Sequence, residues 1–315
     1  MKISVKVPAT TANIGPGFDS LGMALPIYNT ITIEETVLPG TGVQINVISE
    51  DEAVDELSIE HLELNENSLV YKAVELLYNS IGQTPAELNI NIHSNIPIAR
   101  GLGSSASVIV GGLLAANELL GRPADEAALL SIATEVEGHP DNVTPAIVGG
   151  LVLSSQEEDC TISYTKLNWP EEWAITLCIP DYELSTDISR SVLPEQVPLC
   201  DAVFNLKRMG MFVQAVNTKD AKLMKLALQD KLHQPYRMKL VPGLEEISYK
   251  LRHEEGVIGC VLSGGGPAVV IISNKESLPR IQTVVQETWT DLNIKSEIKT
   301  VNIEPNGAQI INDEE

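Results

Sequence analysis

The chain has 315 residues, enough for two domains or one large one, and 43% of them are hydrophobic, ample for a real core. Lys and Arg number 21 against 43 Asp and Glu, a formal net charge of −22. That balance argues against nucleic acid or a membrane surface as partner, yet a local cluster of donors still suffices for an anionic substrate. No apolar run approaches a membrane span, and the opening MKISVKVPATTAN has no apolar signal core, so the segment reads as mature cytoplasmic protein.

Lys2–Val7 alternates polar and apolar residues, which predicts a half-buried strand. It runs into PATTANIGPGFDSLGMAL, whose Gly, Pro, Thr and Asn content predicts a loop with special backbone geometry. Ile31–Glu35 and Val43–Ser49 alternate again around a Pro39-Gly40 turn, and the acidic stretch 50–67 reads as a surface loop. Ser68–Ile81 has helical spacing in Leu69, Ala73, Leu76 and Leu77, capped by Asn67 or Ser68. Leu88–His93 is a clean alternating strand.

Next comes Pro97-Ile98-Ala99-Arg100-Gly101-Leu102-Gly103-Ser104-Ser105-Ala106-Ser107. Gly101 and Gly103 let the backbone approach a ligand closely. Ser104 and Ser105 fall where a helix N-cap is expected, so free N–H groups point outward there and favour an anion, most often phosphate. The following SASVIVGGLLAANELL is apolar almost all round, which predicts a buried helix, with Gly121 as its stop. The chain has no Gly-Lys pair, which removes the P-loop class. GLGSSA also fits the dinucleotide fingerprint, but that needs its first glycine directly after a strand, and Pro97 intervenes here.

Pro123–Glu137 predicts a helix led by Pro123, and EGHPDNVTPAIVGG a second polar loop before a strand at Gly150–Ser155. In the second half, an acidic turn at Glu157–Asp159 precedes a strand at Ala174–Ile179. Ser185–Pro198 reads as a polar loop holding Arg190. Helices are predicted near Asp201–Val216, Ala221–Leu232 and Leu244–Arg252. Strands at Gly256–Leu262 and Ala268–Ser273 flank SGGGP, whose glycines imply close backbone approach. A helix over Lys275–Trp289, a last strand over Ile298–Ile303 and a disordered NDEE tail complete an α+β chain of two domains. The cysteines at 160, 178, 200 and 260 form no C-x-x-C pair and are expected to be reduced core thiols, and the five histidines show no zinc spacing.

Four loops thus carry Gly, Asn, Asp and Ser beyond what packing needs. If they converge, Ser105 can offer a hydroxyl to Mg²⁺, with Glu137 or Glu135 as carboxylate partner; two apart on a helix, only one of these can face the site. The motifs resemble those of the GHMP kinases, whose central motif reads P-x-x-x-G-L-G-S-S-A. PATTANIGPGFDSLGMAL resembles the N-terminal motif of the homoserine kinase branch and lacks the lysine that mevalonate kinases tend to carry there. EGHPDNVTPAIVGG and SGGGP resemble the third and last motifs, so the likeness runs in order from Val7 to Pro267.

That resemblance implies a ribosomal-protein-like N-terminal domain over 1–155, a ferredoxin-like C-terminal domain over 156–305 and a tail over 306–315. It implies ATP-dependent phosphorylation of the side-chain hydroxyl of L-homoserine on the route to threonine, with ATP bound syn, and a homodimer. Pro97–Ser107 matches the loop that wraps the phosphates, and Ser105 and Glu137 match the Mg²⁺ ligands. Asn13, Asp19, Asp141 and Asn142 match substrate contacts, Asp19 suiting the ammonium. Arg190 and Arg237 match the arginines that hold the substrate carboxylate, a bidentate task that lysine cannot perform. Asn67 is expected near the adenine. Some relatives place an aspartate base where this chain has Asn142, and Asp141 is expected to point elsewhere. Transfer is therefore expected to need no strong base, with charge neutralisation by Mg²⁺, loop amides and Arg190. Rival readings are a mevalonate-type kinase, a non-catalytic nucleotide-binding protein on the same scaffold, and a nicotinamide-dependent dehydrogenase.

Overall fold

The computed structural model describes residues 1–35, 42–49, 63–85 and 87–311. The expected Pro39-Gly40 turn, most of the acidic stretch (50–62) and the NDEE tail lie outside the described residues. Two long antiparallel strands, β1 (Lys2–Ala12) and β2 (Leu21–Glu35), form the backbone of the first sheet, in register from Lys2↔Glu34 to Ala12↔Gly22 with a bulge at Pro8/Ala9. β3 (Val43–Ile48) runs parallel to β4 (Leu88–His93), which pairs with the C-terminal half of β2. β5 (Leu151–Gln156) pairs with the start of β2 and with β6 (Ile162–Leu167).

The expected loop over Pro8–Leu25 shrinks to residues 13–20. Its Thr- and Gly-rich flanks are strand: Ala9, Leu21 and Met23 are buried inward positions, and polar composition hid the alternation. One face of the sheet carries helices α1 (Leu69–Ser80), α2 (Ser104–Leu119), α3 (Glu126–Glu137) and α4 (Pro140–Val148). Ser68 caps α1, its hydroxyl accepting from Tyr71 N–H at 3.3 Å. Ile109, Val110 and Leu113 of α2 fill the core between Val5, Val7, Ile31 and Ile33 of the sheet and Val74 and Leu77 of α1.

EGHPDNVTPAIVGG is therefore not a loop but the short helix α4. Pro140 occupies the first helical turn, where no N–H is needed, and burial of all but Ile147 offsets the bond lost at Pro145. α3 begins at Glu126 behind an Asp125 cap rather than at Pro123.

The second sheet has the antiparallel order β10–β7–β9–β8, from β7 (Ala174–Pro180), β8 (Val257–Leu262), β9 (Val269–Ser273) and β10 (Ser296–Val301). Period-2 alternation divides its side chains between two cores. Ile175, Leu177, Val270 and Ile272 face α6 (Leu199–Thr218) and α7 (Ala221–Ala227), and in the same cluster meet Leu21, Met23 and Leu25 of the first sheet. Cys178, Val269 and Ile271 face the other way, onto α9 (Leu244–Leu251) and α10 (Leu278–Asp291). The shared core fixes the two sheets against each other and frames the cleft described below.

Ser185–Pro198, read as loop, contains helix α5 (Thr186–Ser191), started by Ser185 accepting from Ile188 N–H at 3.2 Å. α7 ends at Ala227, five residues before its expected end, and α8 (Gln234–Arg237) follows it. Two strands were not expected. β6 extends the first sheet past residue 155, and β11 (Gln309–Ile311) pairs with β1 within the expected tail. Both are largely solvent-facing, so neither shows the alternation that reveals a half-buried strand.

All four thiols are free; Cys178 is a core thiol, but Cys160 and Cys200 are exposed, which corrects that expectation for the latter two. Burial pushes the Cys260 thiol up to about 12. Among the described residues no helix is long and apolar enough to cross a membrane.

Candidate active site

The four motif loops do converge. They line a cleft of about 460 Å³ to which Asn13, Asp19, Asn67, residues 98–105, Glu137, Asp141, Asn142, Arg190 and Arg237 all contribute. Three expected residues of the phosphate loop do not line it. Pro97 and Ala106 are buried, Ala106 in the first core, and Ser107 is a brace that donates to Ser104 O at 2.7 Å and accepts from Asn29 Nδ2 at 2.8 Å.

At one end of the cleft the first turn of α2 presents N–H groups without intrahelical acceptors. The residue at the cap is Gly103 in the left-handed region (φ +68°), not a serine; Ser104 and Ser105 are the first helical residues. Gly101 is also left-handed, and a Cβ there would lie 2.2 Å from Ser263 O. The SGGGP turn thus packs directly on the phosphate loop. Ser263 Oγ donates to Gly101 O at 2.6 Å, Ala268 N–H to Arg100 O at 3.1 Å, and Thr10 N–H to Leu102 O at 3.0 Å. Arg100 is an exception among the loop residues, because its side chain is committed to Asp181 (3.7 Å) and Glu183 (3.8 Å).

Ser105 Oγ donates to Glu137 Oε1 at 2.8 Å. Glu137 ends α3, with Gly138 beyond it in the left-handed region, while Glu135 is exposed on the opposite side. Helix geometry therefore selects Glu137. Burial raises its carboxyl pKa, against the lowering effects of His139, the Ser105 hydrogen bond and Arg190. Among the described residues no group of three His, Cys, Asp or Glu side chains forms a ready metal cage. A hydroxyl and a carboxylate together do suit Mg²⁺, which takes few protein oxygens beside phosphate and water. Adjacent oxygens around an octahedral Mg²⁺ lie about 2.9 Å apart, close to the separation seen here.

At the other end, the 13–20 loop holds Asn13 (φ +69°), Ile14 (φ +37°) and Asp19 (φ +53°) in left-handed conformations that non-glycine residues seldom adopt. Asn13 pins it on both sides, donating to Gly264 O at 2.9 Å and accepting from Asp19 N–H at 3.0 Å. Arg190 grips Asp19 with both Nη atoms, at 2.8 and 3.3 Å. Arg237 is only 2% exposed, and its Nε donates to Ser189 O at 3.1 Å. Burial first, then the Arg190 charge, lowers the Arg237 pKa.

Asp141, expected to point elsewhere, lines the cleft, but its carboxylate is engaged by His139 Nδ1 at 2.6 Å. Burial alone lowers the His139 pKa, and the hydrogen bond and charge of Asp141 reverse it to a net rise. Asn142 Oδ1 accepts from Thr10 Oγ1 at 2.8 Å.

His139 and Thr10 are site residues that the sequence reading missed. His139 had one available signal, its place between two chosen carboxylates; Thr10, on a strand, had none. The apolar wall of Val47, Ile92 and Val108 was missed as well, because strand and helix positions read as core.

Comparison with known proteins adds family evidence to this geometry. Residues 68–150 match the GHMP kinases N terminal domain and residues 212–291 the GHMP kinases C terminal domain. The homoserine kinase of Petrotoga mobilis is 42% identical over 312 residues, covering 99% of this chain and 97% of that one. The homoserine kinase of Synechocystis sp. is 39% identical over 310 residues, covering 98% of each. Among solved structures, homoserine kinase from Cytophaga hutchinsonii superposes with a TM-score of 0.86 at 29% identity, over 98% of this chain and 97% of that one.

Proposed function

This chain belongs to the homoserine kinases, a branch of the GHMP kinase family, and from that premise we infer that it transfers the terminal phosphoryl group of ATP to the side-chain hydroxyl of L-homoserine. The observation that carries the substrate is the Asp19–Arg190 pair. A carboxylate and a guanidinium side by side complement a zwitterion, whose ammonium goes to Asp19 and whose carboxylate goes to Arg190 and Arg237. Mevalonate has a carboxylate and no ammonium, so it would draw Arg190 toward its own carboxylate and bring Asp19 no replacement cation, a discrimination built from charge complementarity at a half-buried pair.

ATP lies with its base toward Asn67 and the apolar wall of Val47, Ile92 and Val108, and with its phosphates on the N–H groups of α2. Ser105 and Glu137 would hold Mg²⁺, which would supply charge neutralisation at the phosphates. The hydroxyl oxygen of homoserine forms a bond to the terminal phosphorus as the bond to the bridging oxygen breaks, ADP leaves, and the hydroxyl proton passes to solvent. Such a loose transition state places little demand on early proton removal. Asp141 already accepts from His139 and Asn142 already accepts from Thr10, so positioning and charge neutralisation carry the rate. The resemblance also supports a cytoplasmic homodimer.

Coupled ADP release with ATP, Mg²⁺ and a panel of L-homoserine, L-threonine, L-serine, mevalonate and galactose tests the reading. We expect kcat/KM to be highest for L-homoserine, by at least about a hundredfold over mevalonate, as for a site that bonds a substrate N–H the analogue lacks. A preference for mevalonate would keep the ATP end and discard the amino-acid end. ATP binding without turnover of any acceptor would leave a non-catalytic nucleotide-binding protein.

A further inference from the structure

Phe18 precedes Asp19 in the strained 13–20 loop, yet it is not among the residues that line the cleft. Its ring lies against the two arginines. The Arg190 guanidinium carbon is 5.6 Å from the ring centroid and that of Arg237 is 5.2 Å, both over the ring. The imidazole of His233 stacks on the same ring at 5.4 Å with an interplanar angle of 25°. His233 is fully buried, and its Nε2 lies 2.8 Å from Gly15 O. With Nε2–H donating to that carbonyl, Nδ1 accepts from Arg237 Nη1 at 3.4 Å. Burial lowers the His233 pKa, consistent with this neutral form.

Two like charges are thus held against a single ring. Asp19 already pairs with Arg190, and a second carboxylate shared by both arginines would compete with the carboxylate they are there to bind. An aliphatic side chain would fill the space without attracting either cation. An aromatic face attracts a guanidinium through its quadrupole and leaves the charge unneutralised.

We propose that Phe18 is a positioning residue: its ring, backed by His233, holds Arg190 and Arg237 side by side so that both present to the carboxylate of the amino-acid substrate. This rests on the reading that these arginines take that carboxylate. Phe18 therefore acts on amino-acid affinity, and neither the ATP end nor the reacting hydroxyl depends on it.

The test is steady-state kinetics of Phe18→Leu, Phe18→Met and Phe18→Tyr beside the wild type, with thermal melting to establish folding. The expected result is a roughly tenfold rise in KM for L-homoserine in the Leu and Met variants, the size of the cation–π attraction removed at a partly desolvated site. KM for ATP and kcat stay within about twofold, as when binding common to ground and transition states is removed. Phe18→Tyr, which keeps the ring, stays within about twofold of wild type in all three. If Phe18→Leu does not fold, Phe18→Met, with its unbranched and adaptable side chain, carries the same expectation. An unchanged KM for L-homoserine in the ringless variants, an equal rise in KM for ATP, or a tyrosine variant as impaired as leucine would overturn the proposal. A wild-type enzyme that does not phosphorylate L-homoserine would instead remove the functional reading on which it rests.

Discussion

Replacing Glu137 by glutamine is expected to lower kcat by at least about a hundredfold in a protein that remains folded, comparable to removing one preorganised stabilising group from an active site. The side chain ends α3 beside the first turn of α2, where it accepts a hydrogen bond from Ser105 at 2.8 Å. Glutamine keeps the volume and can still accept from that hydroxyl, so packing should survive. What it would lose is the negative charge proposed to hold Mg²⁺. Ser105→Ala should cost less, because it removes a neutral oxygen. Burial raises the Glu137 pKa, so protons compete with metal there. The Mg²⁺ concentration for half-maximal rate should accordingly rise as pH falls in the wild type and be less sensitive to pH in Glu137→Gln. Mg²⁺-titrated kinetics at several pH values check all of this. A glutamine variant with near-normal kcat would place the metal elsewhere.

Gly101→Ala is expected to have the second large effect, on the phosphate loop itself. At φ +75° an L side chain costs about 1–2 kcal/mol before any contact is considered. The new methyl would also sit 2.2 Å from Ser263 O and 2.8 Å from Gly266 O, both backbone atoms of the turn that braces the loop. Neither can rotate away, so the loop must move off that turn. The bonds from Ser263 Oγ to Gly101 O and from Ala268 N–H to Arg100 O would go with it. We expect KM for ATP to rise by at least about tenfold, together with a stability loss of about 2–4 kcal/mol. Isothermal titration with ATP and denaturant unfolding measure the two parts. A variant with normal ATP affinity would show that the loop approaches the SGGGP turn without needing to.

The glycine–serine loop was legible because its pattern is local. Two glycines, two serines and an apolar helix within one short segment predict an open helix N-terminus whatever the rest of the chain does. Even so, the cap residue was misread, since Gly103 rather than a serine sits at the helix start, and Arg100 turns its side chain away to Asp181 and Glu183. The choice between Glu135 and Glu137 was framed by helix geometry and needed only the orientation of α3 to decide it.

The amino-acid end is different. Asp19 and Arg190 meet across 171 positions of sequence, and no periodicity encodes that meeting. Only the family resemblance put them in one site, and it gave no role to Phe18, His233 or Thr10, whose ring and hydrogen-bond contacts come from the fold. α4 and α5 were read as loops because Pro, Asn, Asp and Ser favour turns in isolation. Burial of α4 and the Ser185 cap of α5 override that preference. β6 and β11 escaped notice because exposed strands lack an apolar face.

Transfer of a phosphoryl group from ATP to the hydroxyl of L-homoserine can be followed by a proton–phosphorus correlation spectrum of the reaction mixture. The expected result is a new phosphate monoester resonance coupled to the methylene that carried the substrate hydroxyl, growing in step with ADP. ADP with free inorganic phosphate and no such coupling, or phosphate joined to the carboxylate of the amino acid, would contradict it.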